Sequence, residues 1–239
     1  MKGELMTINI QNTSAQDIQP IVVIGATRGT GLIASQELIR TGRPLRVVAR
    51  NLAKARTLLG DGIQVFEADL GIPSAARDSA LQEALRGAAG IIFTAAVPPG
   101  PAREATLKAV DYGGVAATIE AAHRVGFTGR FVYLTTMGVH RRNWLIRILD
   151  TLKWNILHWR AEAERSLSAS GLDVVIVRAG ILTDGPGGAN LNISPGDQPM
   201  KLSTKIARRD VAQMLLNAIV EQSPNRDFSV FSKNSKTGS

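Results

Sequence analysis

Short apolar runs alternate with amphipathic stretches along most of this chain. The first run, 21–24, contains β-branched residues in a row, which predicts a buried strand. The stretch that follows, 29–41, has apolar residues at helical spacing, with a glycine and a proline just beyond it. The further predicted strands are 45–49, 63–66, 90–94, 130–135, 173–177 and 227–231, and the further predicted helices are 74–87, 103–125, 160–169 and 205–221.

Strands that alternate with helices predict an α/β fold. We expect a single-domain, Rossmann-type, doubly wound parallel sheet of six to seven strands, with helices on both faces. The domain is expected at 20–232, after a flexible leader at 1–19 and before a disordered tail at 233–239. The stretch 187–200 has little regular pattern and is predicted to be a loop.

Three glycines follow the first predicted strand, in the spacing G-x-x-x-G-x-G. A strand that turns through glycines into a helix presents free backbone N–H groups, which suits an anionic phosphate. Gly25 allows the sharp turn, Gly29 leaves room for a pyrophosphate, and Gly31 lets the helix lie close to the sheet. A structural turn without a ligand is the alternative. The predicted phosphate site comprises Gly25, Thr27, Arg28, Gly29, Thr30 and Gly31.

Basic residues surround the predicted ligand edge. Arg50 directly follows the second predicted strand, where an acidic residue would bind the ribose hydroxyls of NAD. Lys54 lies one helical turn later, and Arg28 lies inside the glycine loop. A guanidinium matches the geometry of a phosphate. These cations therefore predict NADP(H) rather than NAD as the cofactor.

Composition excludes several classes of site. The chain has 239 residues and no cysteine, so disulfides, thiol nucleophiles and thiolate metal sites are excluded. Its three histidines show no metal-ligand spacing, and no metal site is predicted. The net charge of +8 is dispersed, and no nucleic-acid motif accompanies it, so no nucleic-acid partner is expected. No apolar run reaches the length of a membrane span, and a cytoplasmic protein is expected.

All three tryptophans lie in the stretch 143–159, where apolar residues surround the predicted helix more fully than one buried face requires. Such surfaces usually mark interaction sites. The stretch is interpreted as a lid or a homodimer surface, as the wall of an apolar substrate pocket, or as a peripheral membrane contact.

Residues 21–220 resemble an atypical short-chain dehydrogenase/reductase of the NAD(P)-binding, NmrA-like or biliverdin-reductase-B-like group. The matching motifs lie at 25–31, 68–70, 110–115, 133–139, 160–164, 177–184 and 209–212. The resemblance implies that Asp69 and Leu70 lie by the adenine and that Ala95 and Ala96 line the cofactor. It also implies that Thr135 and Thr136 lie near the nicotinamide, with Gly180, Ile181 and Leu182 just past it.

The superfamily's tyrosine acid, four residues before a lysine, is absent from this chain. Ile156 and Arg160 stand at the positions that resemble that pair. Arg160 can hold a ribose or a phosphate, but Ile156 cannot transfer a proton. The resemblance suggests Thr136 as a hydrogen-bond donor to a substrate carbonyl, with the proton coming from solvent, His140 or His158.

The sequence therefore predicts an NADPH-dependent oxidoreductase that reduces a small apolar carbonyl, quinone or flavin-like acceptor. Orientation of the two reactants would supply most of the rate. Two alternatives stay open on the same fold. One is an NADP(H)-binding sensor or scaffold without turnover, and the other is a non-redox cyclase or isomerase.

Overall fold

The computed structural model describes residues 19–98, 100, 102–141, 155–220 and 226–233. Short extended segments recur through these ranges, as the apolar runs predict. The strands are β1 (Ile21–Ile24), β2 (Leu45–Ala49), β3 (Gln64–Glu67), β4 (Gly90–Phe93), β5 (Arg130–Thr136), β6 (Asp173–Ala179), β7 (Ile181–Thr183), β8 (Leu191–Pro195), β9 (Lys205–Ala207) and β10 (Asp227–Ser232).

Helices connect these strands. They are α1 (Gly29–Arg40), α2 (Leu52–Leu59), α3 (Ala75–Leu85), α4 (Glu104–Leu107), α5 (Gly114–Arg124), α6 (Ile156–Ala169) and α7 (Arg208–Val220), with a π-helical turn at Lys108–Gly113 between α4 and α5. Ser74 caps α3 by accepting a hydrogen bond from the Arg77 N–H at 3.1 Å. Asn51 caps α2 in the same way through the Lys54 N–H.

In the described part of the chain, eight strands form one sheet in the order β3-β2-β1-β4-β5-β6-β10-β8. All neighbours pair in parallel except β8, which runs antiparallel to β10. A separate small sheet pairs β7 with β9. The doubly wound, Rossmann-type fold is therefore confirmed, with one strand more in the main sheet than the sequence predicts.

Each face of the sheet carries its own core, because successive side chains of a strand point to opposite sides. Val22 and Ile24 of β1 face a cluster that includes residues of α3, α5 and α6. Ile21 and Val23 face a second cluster that includes residues of α1, α2 and α7. This alternation explains why β1 is apolar at every position.

Several elements differ from the prediction by sequence. The stretch 187–200, predicted as a loop, contains β8. Its residues are half-buried or exposed because β8 lies at the sheet edge, so its hydrophobic pattern is weak. The last predicted helix begins three residues late, since Lys205–Ala207 forms β9 instead. Helix α2 was not predicted, and only its two residues Ala55 and Leu59 are fully buried.

The predicted helix at 103–125 is interrupted by the π-helical turn. Gly114 follows that turn and packs against the sheet, where an added Cβ would lie 3.1 Å from the Leu70 Cβ. Close packing thus explains a glycine in the interior of a helical segment.

Three predicted features lie outside the described residues. They are the leader at 1–18, the tail at 234–239 and most of the tryptophan-rich stretch, from 142 to 154. In the part that the structure describes, no helix is long and apolar enough to cross a membrane.

Candidate functional site

A groove follows the carboxyl ends of β1, β2, β4 and β5. It consists of two adjoining cavities, which share the lining residues Arg28, Thr94, Ala96 and Val97. The first cavity extends toward β2 and β3, and the second extends toward β5 and β6. In an open α/β sheet this edge, where the strand order reverses between β1 and β4, is the expected place for a ligand.

The glycine loop forms the floor of both cavities. Gly25 has a φ of +95°, and an added Cβ would lie 2.6 Å from the Ala95 nitrogen. A Cβ on Gly31 would overlap the Gly25 carbonyl and the Thr94 side chain. Neither position tolerates a side chain, because the loop packs directly on the end of β4. These contacts agree with the sharp turn and the close packing predicted for Gly25 and Gly31.

The N-terminus of α1 is open toward the second cavity. Arg28 precedes the helix with extended backbone, and no side chain caps the first turn. Thr30 is 5% exposed, and its hydroxyl oxygen has no hydrogen-bond partner within the described residues. Buried hydroxyls normally have a partner. The free backbone N–H groups, the helix dipole and this hydroxyl together fit the phosphates of a dinucleotide.

Two arginines of like charge lie at the first cavity. Burial and the positive charge of Arg50 lower the pKa of Arg28, while Asp111 acts in the opposite direction. The Arg28 guanidinium donates to the Ala96 carbonyl, and both arginines line the cavity. Lys54 is exposed on α2 and does not line either cavity. Two guanidinium groups beside one space favour an anion between them.

The residues that the family resemblance assigns to the adenine side are together in the structure. Asp69, Leu70, Ala95 and Ala96 all line the first cavity, as does Thr27. The Asp69 carboxylate accepts a hydrogen bond from the Gly71 N–H at 2.9 Å, which holds the turn after β3. The structure thus brings these residues to one cavity, and their contact with the adenine stays a prediction.

The second cavity collects the residues assigned to the nicotinamide side. Thr135 and Thr136 end β5 there, and Arg160 reaches it from α6. Its walls combine apolar residues such as Leu134 and Met200 with Arg28, Arg160 and Arg208. Gly180 packs closely there, since an added Cβ would overlap the Thr204 carbonyl. The other predicted site residues that line this cavity are Gly29, Thr30, Gly31, Ile181 and Leu182.

Asp111 is a site residue that the sequence reasoning missed. It lies in the π-helical turn and is 2% exposed. Its carboxylate accepts hydrogen bonds from the Arg160 Nε and the Val97 N–H, both at 3.2 Å. Asp111 therefore joins the strand-end loop to Arg160. The motif at 110–115, which includes this acid, is the signal in the sequence that could have indicated it.

Arg208 is a second residue that was missed. It opens α7 and lines the second cavity beside the glycine loop. The Arg208 guanidinium pairs with the Asp184 carboxylate at 2.5 Å. The sequence shows only a dense basic spot at 208–209 and does not place it near the glycine loop at 25–31.

Neither tyrosine reaches the place of a catalytic acid. Tyr133 is 3% exposed within the core, and burial raises the pKa of its phenol above the ordinary value. The Tyr112 ring packs against Trp159, with 6.1 Å between ring centroids. Ile156 is buried in an apolar cluster with Leu107 and Met137. Neither tyrosine can therefore donate a proton to a ligand in the groove.

The two histidines that are predicted as proton donors, His140 and His158, lie apart from the groove. The His140 Nε2 is 2.8 Å from a Glu164 carboxylate oxygen, in a separate cavity with Arg178 and Asp227. His158 is exposed, and its ring contacts Trp159 edge-on. The structure thus does not bring either predicted proton donor to Thr136.

A family model described as NAD(P)H-binding matches residues 25–222. This range includes the glycine loop and both cavities, and the chain therefore belongs to the NAD(P)H-binding family. The match confirms NAD(P)H as the type of cofactor and the resemblance to atypical short-chain dehydrogenases/reductases.

Individual relatives support an NAD(P)-dependent oxidoreductase. Sanguinarine reductase of Eschscholzia californica is 27% identical over 251 residues, covering 89% of each chain. A protein of Arabidopsis thaliana, named as chloroplastic and uncharacterised, is 29% identical and covers 99% of this chain and 77% of its own length. The solved structure of ChuY, an anaerobilin reductase of Escherichia coli O157:H7, superposes with a TM-score of 0.74 at 22% identity, covering 92% of this chain and 100% of that one.

Proposed function

We propose that this protein is an NADPH-dependent reductase of a small apolar acceptor with a conjugated carbonyl, quinone or flavin-like ring. The observation that carries the proposal is the groove itself. A phosphate cradle with an unpartnered buried hydroxyl joins a first cavity lined by Arg28 and Arg50 to a second cavity in which Thr136 and Arg160 face apolar residues. The names of the sanguinarine and anaerobilin reductases support reduction as the chemistry.

The first cavity favours NADPH over NADH. Arg50 stands at the end of β2, where an acid would favour the free ribose hydroxyls, and Arg28 lies beside it. The carboxylate lining this cavity, Asp69, already accepts the Gly71 N–H. A 2′-phosphate between the two guanidinium groups would relieve their mutual repulsion. Lys54 contributes only to the general positive field.

The second cavity would hold the reacting ring against an apolar acceptor. When bound, NADPH supplies a hydride to the acceptor. Leu134, Ile181 and Met200 provide apolar walls that exclude water and suit a conjugated ring. Thr136 lines this cavity and would donate a hydrogen bond to a carbonyl oxygen of the acceptor. The Arg160 guanidinium would stabilise negative charge that develops on that oxygen.

The proton would come from solvent. Tyr133, Tyr112 and the two histidines lie away from the second cavity. An acceptor whose reduced form spreads its charge over a conjugated ring has little need of a simultaneous proton transfer. A simple ketone gives a localised, strongly basic alkoxide and needs an acid in place. The residues therefore favour a conjugated acceptor.

The direct test is NADPH oxidation with a panel of quinones, flavins, enones and simple ketones. We expect turnover with conjugated acceptors and little or none with simple ketones. Thr136→Val is expected to lower kcat about 10-fold, since general hydrogen-bond assistance is removed. Tight NADPH binding without oxidation by any acceptor would contradict the reductase.

A second function is favoured by one observation. Ile156 stands where the family resemblance places the catalytic tyrosine, and it is buried in an apolar cluster. An NADP(H)-binding sensor or scaffold needs no acid there, and a non-redox cyclase or isomerase needs only the pocket. Binding without oxidation in the same panel would support one of these alternatives.

The remaining predictions rest on the sequence and stay proposals. We propose that the tryptophan-rich stretch forms a homodimer surface or a lid over the acceptor, and that the protein is cytoplasmic. Size-exclusion chromatography with light scattering tests the dimer. Fractionation of the source cells tests the location.

A further inference from the structure

We infer that Arg208 is a pyrophosphate-binding residue and that Asp184 is its partner only while the groove holds no cofactor. This inference rests on the proposed function, because it assigns a residue of α7 to the cofactor that the groove is proposed to bind. Arg208 lies far from the glycine loop in sequence, and no motif of that loop includes it.

The position of Arg208 follows from the fold. Helices α1 and α7 lie on the same face of the sheet, where Leu38 of α1 and Leu215 of α7 share one core cluster. Both helices run back from the carboxyl edge of the sheet, so their N-termini lie near each other. The first residue of α7 is Arg208, and it is consequently held beside the first turn of α1.

The distance to the glycine loop is short. A Cβ on Gly29 would lie 3.5 Å from the Arg208 Nε. Arg208 and Thr30 line the same cavity, and the Thr30 hydroxyl is buried without a partner in the described residues. A phosphate at the N-terminus of α1 would therefore meet backbone N–H groups, a free hydroxyl and a guanidinium at once.

The present partner of Arg208 is a weak one. Its guanidinium is 24% exposed, whereas the Asp184 side chain is 89% exposed. Exposed ion pairs contribute little, because water solvates the carboxylate almost as well as the arginine does. A pyrophosphate in the partly enclosed cavity offers more acceptor oxygens and a higher charge. Exchange of Asp184 for the pyrophosphate is accordingly favourable.

Arg208 and Arg50 then have separable roles. The pyrophosphate is common to NADPH and NADH, whereas the 2′-phosphate belongs to NADPH alone. Loss of Arg208 should weaken both cofactors equally, and loss of Arg50 should weaken only NADPH. The nucleotide 2′-AMP has the 2′-phosphate and lacks the pyrophosphate, so its binding should not depend on Arg208.

The test titrates NADPH, NADH and 2′-AMP into wild type, R208Q, R209Q and D184N by calorimetry at one ionic strength. We expect R208Q to weaken NADPH and NADH alike by about 10-fold or more, because a charge-assisted hydrogen bond is lost. Binding of 2′-AMP should stay within about 2-fold. The matched control R209Q removes the same charge from the neighbouring exposed residue and should change each affinity less than about 3-fold.

Substitution of Asp184 should change the cofactor affinity in the opposite direction. D184N removes the competing carboxylate and should tighten NADPH and NADH by about 2-fold to 5-fold, the range of a surface ion pair. The melting temperature of each variant checks that it is folded.

The assignment of Arg208 would be overturned if R208Q bound NADPH and NADH as tightly as wild type does, or if R208Q lost affinity for NADPH alone. Either result would leave the proposed function standing. Unchanged cofactor affinities in D184N would overturn the exchange. Absence of NADPH binding by wild type would overturn the proposed function and this inference together.

Discussion

Two arginine–carboxylate pairs lie close together in this fold, and they differ in how many guanidinium nitrogens of the arginine donate to protein. Arg178 donates from Nε and Nη2 to Glu164, at 2.6 Å for Nη2, and from Nη1 to Asp227. Arg160 donates only from Nε, to Asp111 at 3.2 Å. Within the described residues, the terminal nitrogens of Arg160 have no protein partner.

The burial of the two pairs differs in the same sense. Arg178 and Glu164 are 4% and 3% exposed, whereas Arg160 is 20% exposed and lines the second cavity. A buried arginine whose three nitrogens all donate to protein carboxylates is held by the fold and has few donors left for a ligand. The comparison assigns Arg178 to support of the fold and Arg160 to the site. The following predictions test that division.

The largest expected effect is on stability. Glu164→Gln leaves the buried Arg178 without its full counter-charge, and removing one partner of a buried pair costs about 3 kcal/mol of unfolding free energy. Affinity of the folded protein for NADPH should not change. Urea denaturation and calorimetry measure the two quantities. Glu162→Gln, in an exposed pair on the same helix, should cost less than about 1 kcal/mol. If Glu164→Gln had normal stability and bound NADPH more weakly, the assignment of the Arg178–Glu164 pair to support of the fold would be wrong.

The next effect concerns the site. Arg160→Gln should weaken NADPH binding about 10-fold, because a charge-assisted hydrogen bond to the cofactor is lost. The matched control is Arg165→Gln, an exposed arginine on the same helix. Calorimetry measures both. An unchanged dissociation constant in Arg160→Gln would remove this residue from the site.

Asp111 lines neither cavity and should act on the cofactor mainly through Arg160. An asparagine has one acceptor oxygen instead of two, so Asp111→Asn leaves either the Arg160 Nε or the Val97 N–H without its partner. We expect NADPH affinity to fall about 5-fold, the loss of one modest hydrogen bond. In a double-mutant cycle with Arg160→Gln, the double variant should bind no more weakly than Arg160→Gln alone. Additive losses would mean that Asp111 has a separate role.

The last effect, of similar size, is on pH dependence. Although burial and Arg50 lower the pKa of Arg28, an arginine stays charged near neutral pH. The titrating partner is the 2′-phosphate, which gains a proton near pH 6, as phosphate monoesters do. NADPH affinity should therefore fall about 3-fold to 10-fold from pH 7 to pH 5, by the charge lost from that phosphate, while NADH affinity stays flat. If the affinities for NADPH and NADH fell by the same factor, the titrating group would belong to the protein.

The sequence predicted the features that local backbone geometry determines. The glycine loop, Arg50 after β2 and the alanines after β4 lie next to strands whose apolar runs are easy to recognise. Their common edge follows from the parallel order of the sheet. For the same reason eight of the sixteen residues that line the first cavity are predicted from the sequence, and Lys54 is a predicted residue that the structure places outside its lining.

The second cavity depends on contacts between distant segments. Arg208 reaches the glycine loop only because α7 packs beside α1, and Asp111 meets Arg160 only because the π-helical turn packs on α6. Neither a basic dipeptide nor a single acid in a helix reveals from the sequence alone which distant residue it will contact. His140 was expected near Thr136 from its position in the sequence, but its ring turns to Glu164 in another cavity.

The most direct test of the account is a calorimetric titration of NADPH and NADH into wild type and Arg50→Gln. The account predicts that wild type binds NADPH at least about 10-fold more tightly than NADH, as one charge-assisted contact allows, and that Arg50→Gln removes this preference without weakening NADH. Equal binding of the two cofactors by wild type, or no binding of either, would contradict it.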